Sequence, residues 1–137
     1  MRVVVATVVH HPFDARIFYR QIGALLDAGH EVVYLAPFEN GSEPVRTGLR
    51  CRRLPRSSGR SRLGPLRAAA RLLAEETASA DLAILHDPEL TLLDRYVGCR
   101  AVWDVHEDLH AQVADKDWIP GSLRGPARLG ARLLERR

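Results

Sequence analysis

Residues 2–9 read RVVVATVV, a run in which six of the eight side chains are branched at the β-carbon. A continuous run of this kind is typical of a strand that is buried on both faces of a parallel sheet. We therefore predict that residues 2–9 form a central strand. The turn HHPFD at residues 10–14 follows it, and helical spacing begins beyond that turn.

Strand and helix patterns alternate along the rest of the chain. The predicted strands are residues 2–9, 31–36, 49–54, 81–86 and 100–106, and the predicted helices are residues 15–28, residues 63–79, a helix that begins at Pro88 and a last helix that contains Leu129, Leu133 and Leu134. Residues 55–62 (PRSSGRSR) are predicted to be a flexible linker. Such alternation is typical of an α/β fold with right-handed crossovers between parallel strands.

Two helix ends carry recognisable signals. Gly29 stands directly after the periodic residues of the first helix, where a C-terminal cap is expected. Asp87 precedes Pro88, which is the usual order of an N-cap residue and a proline in the first helical position. We therefore expect Asp87 to cap the helix that follows the fourth strand.

The predicted architecture is an open parallel sheet with helices on both faces, Rossmann-like, with the strand order 3-2-1-4-5. In such sheets ligands bind beyond the carboxyl ends of the strands, here between the first and fourth strands. The same order places Cys51 and Cys99 on the two outer strands. Their separation of about 19 Å, at ~4.8 Å per strand spacing, is beyond the reach of a disulfide.

The composition indicates one globular domain. The chain has 137 residues, of which 46% are hydrophobic and 27% charged, and it contains no apolar run near the ~18 residues that a membrane span needs. The N-terminal apolar stretch is short and has no small-residue cleavage site, so it indicates a strand and not a signal peptide. We expect a cytoplasmic protein.

Histidines concentrate where predicted strands end. Five of the six stand at or just after a carboxyl end, and acidic residues accompany them. The histidines are His10, His11, His86, His106 and His110, and the acids are Asp14, Asp87, Glu89, Asp104, Glu107 and Asp108. This pattern predicts a cleft lined by imidazoles and carboxylates. The alternative is that each histidine only caps a strand end or binds a backbone carbonyl.

Other kinds of site are weakly indicated. His86, Asp87, His106 and Asp108 could converge on a metal ion, but apart from His106 and His110 they show no tight ligand spacing, so a metal-dependent hydrolase is a distant alternative. The turn after the first strand contains no glycine, which argues against a dinucleotide-binding loop. No G-x-S-x-G nucleophile motif occurs.

Four segments, VVHHPFDARIFYRQIGALLDAGHEVVYLAP, LAILHDPELTLL, AVWDVHEDLH and WIPGSLRGPARLGARLLERR, resemble the N-terminal domain of retaining GT-B glycosyltransferases of family 4. The pieces FDARIF, HDPEL and DVHE resemble a bacterial polysaccharide-type branch of that family. The resemblance implies transfer of a sugar from a nucleotide-sugar to a glycan or lipid-linked acceptor, with no metal or other cofactor.

The resemblance also implies roles for particular residues. His106 contacts the transferred sugar and Glu107 follows it in the cleft, so both are candidate catalytic residues. The candidate substrate-binding residues are His10, His11, Asp14, Arg16, His86 and Asp87. Because the leaving diphosphate helps to deprotonate the acceptor in such enzymes, the protein's part is positioning and charge stabilisation.

The whole chain, residues 1–137, corresponds in this resemblance to one N-terminal domain, shortened at its C-terminal end. The nucleotide-sugar-binding C-terminal domain and its E-x7-E motif are absent, so we expect no sugar transfer by this chain alone. A C-terminal-domain partner protein could supply the missing half. The alternative is a non-catalytic subunit that recruits an acceptor for a separate catalytic subunit.

A basic segment lies at residues 46–71, which hold nine arginines and no acidic residue. The simplest interpretation is a solvated face, and nucleic acid is not expected because no aromatic residue is interleaved. The resemblance adds docking on an anionic membrane at the inner face of the plasma membrane. The candidate membrane-facing residues are Arg52, Arg53, Arg56, Arg60, Arg62 and Arg67.

Overall fold

The computed structural model describes residues 1–58 and 63–104 and contains a five-stranded, all-parallel sheet in the order β3-β2-β1-β4-β5. The strands are β1 (Arg2–Ala6), β2 (Glu31–Ala36), β3 (Leu49–Arg53), β4 (Leu82–Leu85) and β5 (Arg100–Trp103). The α/β class and the predicted strand order are confirmed.

Strand β1 lies at the centre, as its β-branched run predicts. It pairs with β2 on one side and β4 on the other, so that Val4 faces Val33 and Ala83 in the two neighbouring strands. The strand ends at Ala6, three residues before the predicted end at Val9. The reason is that the N–H groups of Val8 and Val9 donate to the Asp87 carboxylate instead of to a neighbouring strand.

Each face of the sheet is covered by a helical layer. On one face lie helix α2 (Leu63–Thr77) and a 3-10 helix (Pro88–Tyr96), which contribute Leu72, Leu73, Leu90 and Leu93 to the core. On the other face lies a π-helix (Ala15–Ile22) followed by helix α1 (Gly23–Asp27). Its side chains Ile17, Phe18 and Ile22 pack with Val5 and Tyr34. Helices on both faces are therefore confirmed.

The first helical segment differs from the single helix predicted over residues 15–28. It begins as a π-helix, and α-helical geometry begins only at Gly23. The Asp14 carboxylate caps its start, accepting from the N–H groups of Arg16 at 2.9 Å and Ile17 at 3.0 Å. Gly29 adopts a φ of +79° after the helix, which agrees with the predicted glycine end.

The prediction that Asp87 is the N-cap residue of the following helix, with Pro88 directly after it, is confirmed. Asp87 occupies the N-cap position of the 3-10 helix, but its side chain makes no capping hydrogen bond. The carboxylate turns instead towards the loop after β1, which offers it three donors.

Several predicted features lie outside the described residues. They are part of the linker (residues 59–62), the continuation of the fifth strand beyond Asp104, the last helix, and the candidate residues Arg60, Arg62, His106 and Glu107. The roles given to these residues stay predictions.

Candidate functional site

The carboxyl ends of β1 and β4 lie side by side at the centre of the sheet, which is where the strand order reverses. The loop after β1 contains residues 7–14, and the segment HDPE at residues 86–89 follows β4. The structure therefore brings together two of the segments that the sequence marked as candidate sites.

Asp87 is the link between these two segments. Its Oδ2 atom accepts from Thr7 Oγ1 at 2.9 Å, from the Val8 N–H at 2.5 Å and from the Val9 N–H at 3.3 Å. Its Oδ1 atom lies 3.5 Å from His10 Nε2. Because Asp87 is only 1% exposed, its carboxylate positions the loop and has little surface for a substrate.

His86 belongs to a second polar group on the other side of β4. Its Nε2 atom lies 2.8 Å from Gln21 Oε1, and its Nδ1 atom lies 3.6 Å from Asp104 Oδ2. Gln21 Nε2 donates to the same Asp104 oxygen at 3.1 Å. The side chain of His86 is fully buried, so this triangle connects the π-helix to the ends of β4 and β5.

Asp14 and Arg16 stand at the start of the π-helix. Burial alone would raise the pKa of Asp14, but hydrogen bonds from Ile17 and Arg16, with the nearby charges of His10 and Arg16, leave that pKa lowered. Since the carboxylate already occupies two N–H groups of the helix start, those groups are not available to a phosphate. The Arg16 side chain is exposed.

The two histidines of the loop differ from His86 in their accessibility. The side chain of His10 is 33% exposed, and His11 is exposed. His11 Nδ1 accepts a hydrogen bond from the Phe13 N–H at 3.1 Å, which fixes the ring and leaves Nε2 as its outward nitrogen. Below them the buried Tyr34 hydroxyl donates to the Pro12 carbonyl at 3.1 Å, and burial, aided by Asp14, raises the pKa of that phenol.

The segment after β3 completes this edge of the sheet. The Ser57 N–H donates to the Val8 carbonyl at 2.7 Å, and Ser57 Oγ donates to Glu89 at 2.8 Å. Arg56 donates through Nε and Nη2 to the Val9 carbonyl, at 3.4 and 3.2 Å. The loop after β1 is therefore held from β3 as well as from β4.

The four candidate basic residues that the structure describes differ in their partners. Arg52 pairs with Glu75 at 2.9 Å and with Glu76. Arg53 donates to Asn40, Arg56 binds the Val9 carbonyl, and Arg67 is exposed on α2. The nine-arginine segment is thus partly neutralised by acids that the sequence places just after it.

In comparisons with known proteins, no family model, curated protein or solved structure matches this chain.

Among residues 1–58 and 63–104, no three His, Cys, Asp or Glu side chains lie together as a metal site would require. Helices long and apolar enough to cross a membrane are also absent from these residues.

Sequence reasoning missed Gln21, Thr7 and Ser57, which carry much of the hydrogen bonding at this edge. All three are neutral polar residues without a motif. Only their positions in the sequence could have pointed to the site. Thr7 follows the first strand directly, and Gln21 lies beside the buried Ile22 on the amphipathic helix.

The resulting site consists of accessible side chains and of buried side chains that hold them in position. His10, His11 and Arg16 are at least partly exposed, whereas His86 and Asp87 lie beneath them and are hydrogen-bonded. Such an arrangement can bind an anion or hydroxyl groups through imidazole and guanidinium donors, with the loop held in place by Asp87.

Proposed function

We propose that this chain is the N-terminal, acceptor-side half of a retaining GT-B glycosyltransferase of family 4, acting on a nucleotide-sugar and a glycan or lipid-linked acceptor. The observation that carries the proposal is the bond between Asp87, in the HDPEL segment, and Val8, before the HHPFD loop. These are two of the segments in which the sequence resembles that family. Their meeting at the switch point of the sheet supports a shared role in ligand binding.

The burial of each side chain supports a division of roles within the proposed site. His10, His11 and Arg16 contact the acceptor or the phosphates of the donor, because they are accessible. His86 and Asp87 are positioning residues that hold the loop and the π-helix. His106 and Glu107 keep the catalytic roles that the resemblance implies.

In this proposal the chain contributes orientation and charge. Arg16 supplies a positive charge to an anionic substrate, and the imidazoles supply hydrogen bonds to hydroxyl groups. The loop is held by three donors to one buried carboxylate, so that the accessible side chains are positioned before the substrate binds. The donor is held mainly by a second, nucleotide-binding domain, and the site lies on the cytoplasmic side, at an anionic membrane surface.

The proposal is tested on the native protein. An antibody against this domain would capture it from its source cells, and the captured material would be assayed with a panel of nucleotide-sugars and an acceptor extract from the same cells. We expect transfer with retention of the anomeric configuration, carried out by a species at least twice the 15.3 kDa of this chain or by a complex with a second protein.

The 137-residue chain by itself is the control, and it should transfer no sugar. Captured protein that is active with none of the nucleotide-sugars would overturn the proposal. Turnover by the short chain alone would contradict its role as one half of the enzyme.

A further inference from the structure

Five of the arginines described within residues 46–71 lie at two edges of the sheet. At the amino edge, Arg50 and Arg52 of β3 both bind Glu76, a carboxylate of α2 that is only 2% exposed. Arg2 binds the same carboxylate at 2.9 Å, and Arg52 also binds Glu75. Two carboxylates therefore balance most of the charge of three arginines at this edge.

At the carboxyl edge, three other arginines line a groove of about 580 Å³. They are Arg53, Arg56 and Arg71, and Glu39 is the one acidic residue beside them. The remaining lining is apolar and consists of Pro37, Phe38, Leu54, Pro55, Ala68 and Leu72. The groove lies at the edge of the sheet where parallel strands present ligands.

The three groove arginines differ from Arg50 and Arg52 in their partners. Arg53 donates to the Asn40 side-chain oxygen, and Arg56 donates to the Val9 carbonyl. Both partners are neutral. Arg71 lies one helical turn before Glu75 and acts on that carboxylate through its charge, but the hydrogen bonds of Glu75, at 2.9 and 3.3 Å, go to Arg52. Among the described residues that line the groove, three cations and the one anion, Glu39, give a formal charge of +2.

We propose that this groove binds the phosphate of an organic phosphate monoester. A phosphomonoester carries about −1.5 to −2 charges at neutral pH, which matches the charge of the groove. One guanidinium group can bind two phosphate oxygens through two parallel hydrogen bonds, and arginine is the side chain best suited to that bidentate geometry. The volume lies in the range of small-ligand sites, about 300–1,000 Å³, and the proline and alanine lining accommodates the organic part.

The groove is continuous with the site already described. Arg56 lines the groove and binds the Val9 carbonyl, so it connects the groove to the loop after β1, which the neighbouring Ser57 N–H also holds through the Val8 carbonyl. The identification of the phosphate as part of the acceptor rests on the proposed function. The binding of the phosphate itself does not rest on the proposed function, because binding requires no transfer reaction.

The test uses titration calorimetry on the 137-residue chain with glucose 1-phosphate, and with glucose and inorganic phosphate as comparison ligands. Flotation with phosphatidic acid and phosphatidylcholine vesicles forms a second arm. We expect glucose 1-phosphate or phosphatidic acid vesicles to bind, and glucose and phosphatidylcholine not to bind. The first result identifies a soluble phosphate as the ligand, and the second identifies a lipid headgroup.

Arg53→Gln and Arg71→Gln should each weaken that binding by about tenfold, the scale of one lost charge-assisted hydrogen bond. Arg100→Gln is the matched control, because Arg100 is exposed and begins β5, the edge strand on the other side of the sheet. Both groove residues reach the surface, so thermal unfolding should show folded variants.

The inference would be overturned if R100Q lost as much affinity as the groove variants. It would also be overturned if the unmodified chain bound neither glucose 1-phosphate nor phosphatidic acid vesicles. Phosphate binding together with an inactive captured protein would overturn the proposed function alone. Sugar transfer without phosphate binding would overturn the groove alone.

Discussion

The Asp87 carboxylate accepts a hydrogen bond from the Val8 N–H at 2.5 Å, although the two residues are 79 positions apart in the chain. Thr7 Oγ1 donates to the same oxygen. Because the carboxylate is buried, water cannot replace these donors. This side chain therefore extends the connection between β1 and β4 beyond the last backbone bond, from the His86 N–H to the Ala6 carbonyl.

Replacement of Asp87 by asparagine should destabilise the protein. The variant loses a charged acceptor, and its amide nitrogen would face N–H donors if it turned towards the loop. We expect a loss of about 1–3 kcal/mol, the scale of a buried group left unsatisfied, measured by urea unfolding. Asp27→Asn is the control, since Asp27 is exposed and its ion pair with Arg46 is long at 3.8 Å. Equal midpoints for the two variants would contradict the role given to Asp87.

Glu76 should be the acid on which the packing of α2 against the sheet depends most. In Glu76→Gln, Arg2, Arg50 and Arg52 lose their shared buried counter-charge. A broken buried pair costs about 3–5 kcal/mol. Since the three arginines are partly exposed and regain water, we expect about 2–4 kcal/mol by urea unfolding. Glu75→Gln, at a half-exposed position on the same helix, should have a much smaller effect; a loss as large as that of E76Q would be inconsistent with this account.

The cap at Asp14 should make stability depend on pH. The pKa of Asp14 is lowered in the folded protein, where its N–H donors and nearby charges outweigh burial. Its ionised form therefore stabilises the fold fully above the unfolded value of about 3.9, and that contribution is lost as the pH falls through the lower folded value.

The comparison for this pH effect is Asp14→Asn, which keeps a capping oxygen but has no charge to lose. The stability advantage of the unmodified protein over D14N should shrink between pH 5 and pH 2.5 in pH-dependent unfolding experiments. A difference that stays constant over this range would show that the charge of Asp14 has no part in the cap.

Arg16 should matter for transfer and not for stability. Its side chain is exposed, while its backbone N–H, which binds Asp14, is retained in Arg16→Gln. If the native protein is the proposed transferase, kcat/KM should fall by about tenfold, as for one lost charged contact in the transition state, with an unchanged melting temperature. Arg20→Gln on the same helix is the control; activity loss of equal size in both variants would point to a general charge effect.

Cys51 should react slowly with alkylating reagents. Burial, with a smaller effect of Glu43, raises its pKa to about 11 from an ordinary value of 9.0. The thiolate fraction near pH 8 is then on the order of a hundredfold lower than for an ordinary thiol. Iodoacetamide labelling followed by mass spectrometry, with the urea-unfolded protein as reference, measures this protection. Equal labelling rates in the folded and unfolded protein would refute it.

The fold could be predicted from sequence because its strands differ in composition from its helices. The valine-rich run identified the central strand, and the alternation of patterns gave a parallel order. The end of β1 was misplaced, since a local pattern cannot reveal that the Val8 and Val9 N–H groups bind a carboxylate 79 and 78 positions away. The π-helix was missed for a similar reason, because its apolar spacing resembles that of an α-helix.

The sequence predicted where the candidate site lies in the sheet, but not which of its side chains are buried. Strand ends located His10, His86 and Asp87, yet sequence alone gave the accessible and the buried ones the same role. The division among the arginines was equally hidden. Arg52 and Arg53 are neighbours in β3, but Arg52 binds Glu75 and Glu76 of α2, whereas Arg53 donates to Asn40 and lines the groove.

The position of β1 between β2 and β4 has a consequence for the order of folding. β2 follows β1 closely in the chain, whereas β4 begins only at Leu82. During synthesis one hydrogen-bonding edge of the central strand therefore stays unpaired until β4 has been made, which is after more than half of the 137 residues. While it is unpaired, this valine-rich edge can associate with other nascent chains. Pairing β1 with β4 joins the neighbouring strands of the sheet that are most distant in sequence, and such contacts form slowly.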